Sequence, residues 1–157
     1  MEKVTIFVDV QNIYYTTRQR FQRQFNYSAF WSAATDNREV IAALAYAIDK
    51  GDSKQRSFQQ VLRTIGFEVK LKPFIQRSDG SAKGDWDVGI TLDVIDYAPL
   101  ADVIILLSGD GDFDVLLAKI RQKYPVTTEV YGVMALTAPS LIYASDRFIA
   151  IDDKLLL

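Results

Sequence analysis

Residues 103–120 read VIILLSGDGDFDVLLAKI. The run Val103–Leu107 is apolar throughout, without alternation, which predicts a strand buried on both faces, as in a parallel sheet. It passes directly into Ser108-Gly109-Asp110-Gly111-Asp112. From Phe113 to Lys123 the spacing predicts a helix, with Phe113, Leu116, Leu117 and Ile120 on one face. A buried strand, an acidic glycine-rich turn and an amphipathic helix in succession form a βα unit, and its turn lies at the carboxyl end of the strand.

A second such strand opens the chain. Val4–Val8 is almost wholly apolar and ends in Asp9, with Asn12 shortly after. Outward from these two strands the same alternation continues. Helix is predicted over Gln11–Gln24 and over Tyr27–Ala34. Val40–Ile48 fits strand or helix by periodicity, and strand is preferred because Lys50-Gly51-Asp52-Ser53 follows as a loop and helix start. Ser53–Ile65 is an amphipathic helix carrying Phe58, Val61, Leu62 and Ile65, closed by Gly66. Phe67–Lys72 alternates as a strand, and Pro73–Gly84 reads as a polar loop. Trp86–Tyr97 is a helix that Asp85 could cap. Thr128–Val133 is a strand, Ser140–Ser145 a short helix and Phe148–Ile151 a last strand. No repeat or linker interrupts the series, so residues 1–157 are expected to form a single α/β domain with a mainly parallel, doubly wound sheet.

Composition narrows the chemistry. The chain has 157 residues, 49% hydrophobic and 24% charged, with neither cysteine nor histidine. Disulfides, thiolate or imidazole zinc sites and every Ser-His triad are thereby excluded. Aspartate and glutamate total 20 against 18 lysines and arginines, so no global basic signal for nucleic acid exists. The charge is segregated instead: 13 basic and 8 acidic residues up to Lys83, then 5 basic and 12 acidic from Gly84. No apolar run approaches the roughly 20 residues of a membrane helix, and MEKVTIFVDVQN lacks the zones of a signal peptide. A soluble cytoplasmic protein without membrane contact is expected.

In doubly wound sheets ligands bind outside the carboxyl ends of the strands. Asp9, Asp110 and Asp112 are delivered to that edge, and packed carboxylates repel unless cations neutralise them. Mg²⁺ and Mn²⁺ favour such oxygen ligands. Aspartates in a glycine-rich turn also serve as plain helix caps, a reading weaker for the pair Asp110 and Asp112 than for either alone. An EF-hand is excluded, because Val115 stands where the loop needs glycine and Arg121 where it needs the bidentate glutamate. In KGDWDVGITLDV, residues 83–94, Asp87 and Asp93 lie six apart, about 240° around a helix. Only one of them can be a primary ligand, and Asp87 is preferred. Arg18, Arg20 and Arg23 alternate with Phe21, Phe25 and Tyr27, while Lys70, Lys72, Arg77 and Lys83 precede the acidic helix. Such groups suit single-strand contacts through phosphate and stacking, and equally suit an ordinary solvated face. Tyr14 and Tyr15 adjoin the site, where aromatics are more often core.

The segments FVDVQN, KGDWDVGITLDV and VIILLSGDGDF, in this order and spacing, resemble the NYN domain proteins, the LabA-like group within the PIN-like nuclease superfamily. The resemblance implies a three-layer α/β/α sandwich and a metal-dependent RNase site using Mg²⁺ or Mn²⁺. It carries over Asp9, Asn12, Asp87, Asp110 and Asp112 as the acidic site. Asp9, Asp87, Asp110 and Asp112 would ligate metal, and Ser108 and Asp93 join as weaker members. The substrate expected is single-stranded RNA, held by Arg18, Arg20, Arg23, Lys83 and Ser108; homodimerisation stays open. The alternative is a non-catalytic RNA- or nucleotide-binding regulatory module that retains the acidic pocket. A phosphoaspartyl phosphatase is disfavoured, since Asp9-Val10-Gln11 lacks the second aspartate that such enzymes carry.

Overall fold

The computed structural model describes residues 1–73, 75–76, 82–83 and 85–157, without the side chains of 75, 76, 82 and 83. Six parallel strands form one sheet: β1 (Glu2–Asp9), β2 (Arg38–Asp49), β3 (Glu68–Pro73), β6 (Val103–Leu107), β7 (Thr127–Gly132) and β8 (Arg147–Ala150). Their order is β3-β2-β1-β6-β7-β8. The intervening helices are α1 (Val10–Phe21), α2 (Tyr27–Thr35), α3 (Ser53–Ile65), α4 (Asp87–Tyr97), α5 (Asp114–Lys123) and α6 (Pro139–Ala144). Parallel neighbours need crossovers, and the helices supply them.

Alternation along the strands builds two cores. Val4, Ile6 and Val8 of β1 with Ile105 and Leu107 of β6 pack against Ile13 of α1, Phe30 of α2 and Leu62 of α3. Phe7 of β1 with Ile104 and Leu106 of β6 packs against Ile90 and Val94 of α4, Leu117 and Ile120 of α5 and Leu141 of α6. The result is the expected α/β/α sandwich, with β1 and β6 covered on both sides.

The chain winds from β1 outward to β3, returns across the sheet, and winds outward again from β6 to β8. The direction reverses between β1 and β6, which places the topological switch point there. In their parallel register Val8 pairs with Leu107, so Asp9 and Ser108 leave the sheet side by side.

Two expectations need correction. The segment 73–84 is not simply a loop: β4 (Ile75–Gln76) and β5 (Ala82–Lys83) pair antiparallel within it. Two-residue strands carry no readable periodicity, so the sequence could not announce them. Phe113 belongs to a 3₁₀ turn, Gly111–Phe113, that precedes α5. A Cβ on Gly111 would lie 2.8 Å from the Ala138 side chain, so the loop before α6 packs tightly on this turn.

Candidate metal centre

Asp9 ends β1 and caps α1, its carboxylate accepting from the Asn12 amide at 3.4 Å. It is 9% exposed. Its other oxygen accepts from Ser108 Oγ at 3.2 Å, and Ser108 Oγ accepts from the Asp110 amide at 3.1 Å. Asn12 Oδ1 accepts from the Gly109 amide at 2.8 Å. The β1 end and the β6 loop are therefore sewn together by two bonds, Ser108 on Asp9 and Asn12 on Gly109. Gly109 also admits the segment after β7: a Cβ there would lie 2.8 Å from the Leu136 carbonyl oxygen and 3.1 Å from Thr137 Oγ1.

Asp87 arrives from the other side, at the first turn of α4. Trp86 fixes that turn. Its indole N–H donates to the Ala47 carbonyl at the end of β2 at 2.8 Å, and its ring lies 5.3 Å from that of Tyr46. A Cβ on Gly89 would meet the Trp86 ring at 2.6 Å, so the indole packs directly against the helix backbone. Asp85 caps less directly than expected. It accepts from the Asp87 amide at 3.2 Å, one residue outside the formal cap.

The outcome is a group of three. Asp9, Asp87 and Asp110 each offer a carboxylate oxygen, all within 4.8 Å of one another. Electrostatics record the crowding. Asp9 is pushed from 3.8 up to about 6, chiefly by burial, with Asp110 and Asp85 adding repulsion against the Asn12 and Ser108 hydrogen bonds. Asp87 is pushed up to about 7, by burial first and then by the adjacent Asp110 carboxylate, which accepts a hydrogen bond from its protonated form. An all-oxygen cluster whose charge is held back by proximity fits a hard divalent cation, which would relieve the repulsion.

Asp112 stands outside that group. It is exposed, and its amide donates to Asp110 Oδ1 at 2.9 Å. Asp93 turns away from the centre as the helical spacing demands, accepting from Tyr46 Oη and Lys70 Nζ, both at 2.7 Å. Lys72 lies over the Trp86 ring at 4.4 Å and donates to the Asp85 carbonyl at 3.1 Å. Both lysines thus brace the acidic helix. Sequence reasoning missed Trp86 as the residue that seats Asp87; its position between two aspartates was the available signal.

The other cations divide. Arg18 donates to Tyr14 Oη at 2.7 Å on the exposed face of α1, and Arg20 lies 5.3 Å over Phe21. Arg23 is taken up structurally, in an ion pair with Asp153 and hydrogen bonds to the Leu156 and Leu157 carbonyls. Lys83 lies in β5, its side chain outside the described residues, as is Arg77. Tyr14 and Tyr15 are not core: they are 45% and 51% exposed. No described helix is long and apolar enough to cross a membrane.

A parallel α/β/α sandwich with three clustered aspartates at its switch point defines a PIN-like domain with a metal-type acidic centre. The chain belongs to the NYN domain family, whose profile matches residues 3–152. It is 30% identical to the low amplitude and bright protein LabA of Synechococcus elongatus, over 96% of this chain and 84% of that protein. It is 57% identical to a protein of unknown function from Vibrio parahaemolyticus. That crystal structure superposes with a TM-score of 0.95, covering 99% of this chain and 96% of the other.

Proposed function

We propose that this protein is a cytoplasmic, metal-dependent ribonuclease that hydrolyses phosphodiester bonds of single-stranded RNA. The observation that carries this reading is the Asp9, Asp87, Asp110 cluster at the switch point of a nuclease-type fold. These three carboxylates would hold Mg²⁺ or Mn²⁺, with exposed Asp112 contributing through water. Such an ion supplies Lewis acidity there, acidifying water and offsetting charge on the phosphodiester.

The protein's own part is orientation. Ser108 Oγ and the Asn12 amide fix the Asp9 carboxylate. Asn12 Oδ1 holds the Gly109 turn, and through it Asp110, at a set distance from Asp9. Among the described residues the Asn12 NH₂ has no hydrogen-bond partner, which leaves it free to donate to a phosphate oxygen. Arg18 and Arg20 on the exposed face of α1, and Lys83 in β5, would contact the RNA backbone.

The test is cleavage of end-labelled single-stranded RNA with Mg²⁺ or Mn²⁺, with and without chelator, in wild type and Asp110→Asn. Cleavage lost both with chelator and in the variant is the expected result. Cleavage that survives Asp110→Asn would displace the proposed centre. One observation favours a second reading, a binding module without turnover: Asp112 stands apart, leaving three clustered carboxylates where the sequence leads one to expect four. Retained metal and RNA binding with no cleavage of any RNA would establish it.

A further inference from the structure

A groove of about 1070 Å³ runs between α1 and α3. Its lining includes Val10 and Gln11, the two residues that follow Asp9 in the chain. Its α1 wall presents Tyr14 and Tyr15, packed edge to face, and Arg18. Its α3 wall presents Lys54 and Gln59.

Gln59 is the unusual member. It is only 5% exposed, yet among the described residues its amide has no hydrogen-bond partner. Such buried amides are normally satisfied. The one sealed side-chain atom without a partner among the described residues is Thr5 Oγ1. The Gln59 amide is therefore not closed into the core but opens on the groove that it lines. Helical spacing puts it one turn after Gln55, whose Oε1 already accepts from the Lys50 amide. The loop thus occupies Gln55 and leaves Gln59 to a ligand.

A primary amide offers a donor and an acceptor side by side, the complement of a nucleobase edge. Exposed tyrosine rings offer stacking surfaces to any base, and Arg18 and Lys54 offer charge to phosphates. We propose that this groove is a base-selective subsite for the RNA strand flanking the scissile phosphate, with Gln59 reading the edge of one base and Tyr15 stacking. The occupant's chemical class rests on the ribonuclease reading; the polar complement of the groove does not.

The experiment is fluorescence anisotropy with labelled 10-mers of oligo(A), oligo(C) and oligo(U) and Mg²⁺, using full-length Asp110→Asn protein so that binding is read without cleavage. The expected result is discrimination of about tenfold between the best and the worst oligomer. Adding Gln59→Leu removes that discrimination, while the circular-dichroism melt confirms the fold. Adding the exposed Tyr15→Ala instead weakens all three oligomers by about fivefold or more and keeps their ranking. Unchanged discrimination in Gln59→Leu, or no binding of any oligomer, overturns the subsite. Should wild type fail to cleave while Gln59-dependent discrimination persists, the nuclease reading falls and the subsite stands. Should cleavage hold while discrimination ignores Gln59, the subsite alone falls.

Discussion

Asp9 shows how a single residue trades stability for function. In the unfolded chain its carboxyl titrates at 3.8, and in the fold at about 6. The raised value means that folding favours the protonated form. Below 3.8 the residue costs nothing; between 3.8 and about 6 the folded state retains a proton that the unfolded chain has lost, and stability falls; above about 6 the full cost is present. For Asp9 the rise corresponds to about 3 kcal/mol at most. Asp9→Asn should therefore melt above the metal-free wild type by a margin that grows from about pH 4 to about pH 6.5 and is level beyond it. A margin in chelator that is absent or shrinks from about pH 4 to about pH 6.5 would remove this account of the cluster. The same protons should be displaced by metal. At pH 6.5, where Asp87 with a value near 7 is largely protonated, Mn²⁺ binding should release protons, read as a calorimetric enthalpy that changes with the ionisation enthalpy of the buffer. Equal enthalpies in phosphate-free buffers of different ionisation heat would mean that neither carboxyl changes its proton on binding.

At the scale of elements, the centre depends on how α4 and the β6 loop are seated. Asp87 owes its place to the Trp86 indole on the Ala47 carbonyl. Trp86→Phe keeps a ring but deletes that bond, at a cost of about 1 kcal/mol in stability. Metal affinity should fall more steeply, by about tenfold, because the Asp87 carboxylate is no longer held. Calorimetric Mn²⁺ titration beside a thermal melt separates the two; equal and small effects on both would show that Trp86 does not position Asp87. These elements were also where the sequence was most legible. The apolar runs Val4–Val8, broken only by Thr5, and Val103–Leu107 suited doubly buried strands, and their acidic ends marked the candidate site. The Ser53–Ile65 helix and its Gly66 stop were readable to the residue. What could not be read was contact between distant residues. Asn12 on Gly109 joins positions 97 apart, and no local pattern encodes such a bond. Asp112 and Asp110 look alike in the sequence; the 3₁₀ turn at Gly111–Phe113 separates them, leaving one in the cluster and one exposed.

Across the whole molecule, stability and function sit in different places. Far from the metal centre, Arg38 at the start of β2 reaches over the sheet to Glu129 of β7, with bonds of 3.0 and 2.8 Å. Glu129 is buried, its side chain 4% exposed. Removing Arg38 leaves the buried Glu129 carboxylate only the longer ion pair with Arg147 at 3.9 Å, so Arg38→Ala should destabilise by about 3 kcal/mol. Mn²⁺ affinity of the folded fraction should not change, and a parallel loss would mean that the two ends of the sheet are coupled. The charge segregation seen in the sequence has a matching spatial sense. Arg18 and Lys54 line the α1–α3 groove, while Asp87 and Asp110 come from the acidic half of the chain. The cluster they complete with Asp9 lies where the two halves of the sheet meet. The central claim is that Asp9, Asp87 and Asp110 form one divalent-metal site. The measurement that tests it most directly is Mn²⁺ binding followed by electron paramagnetic resonance at pH 7.5, comparing wild type with Asp9→Asn, Asp87→Asn and Asp110→Asn. The account predicts saturable binding by wild type, weakened about tenfold or more in each folded variant. Wild type that leaves Mn²⁺ free at millimolar concentration, or variants that bind as wild type does, would contradict it.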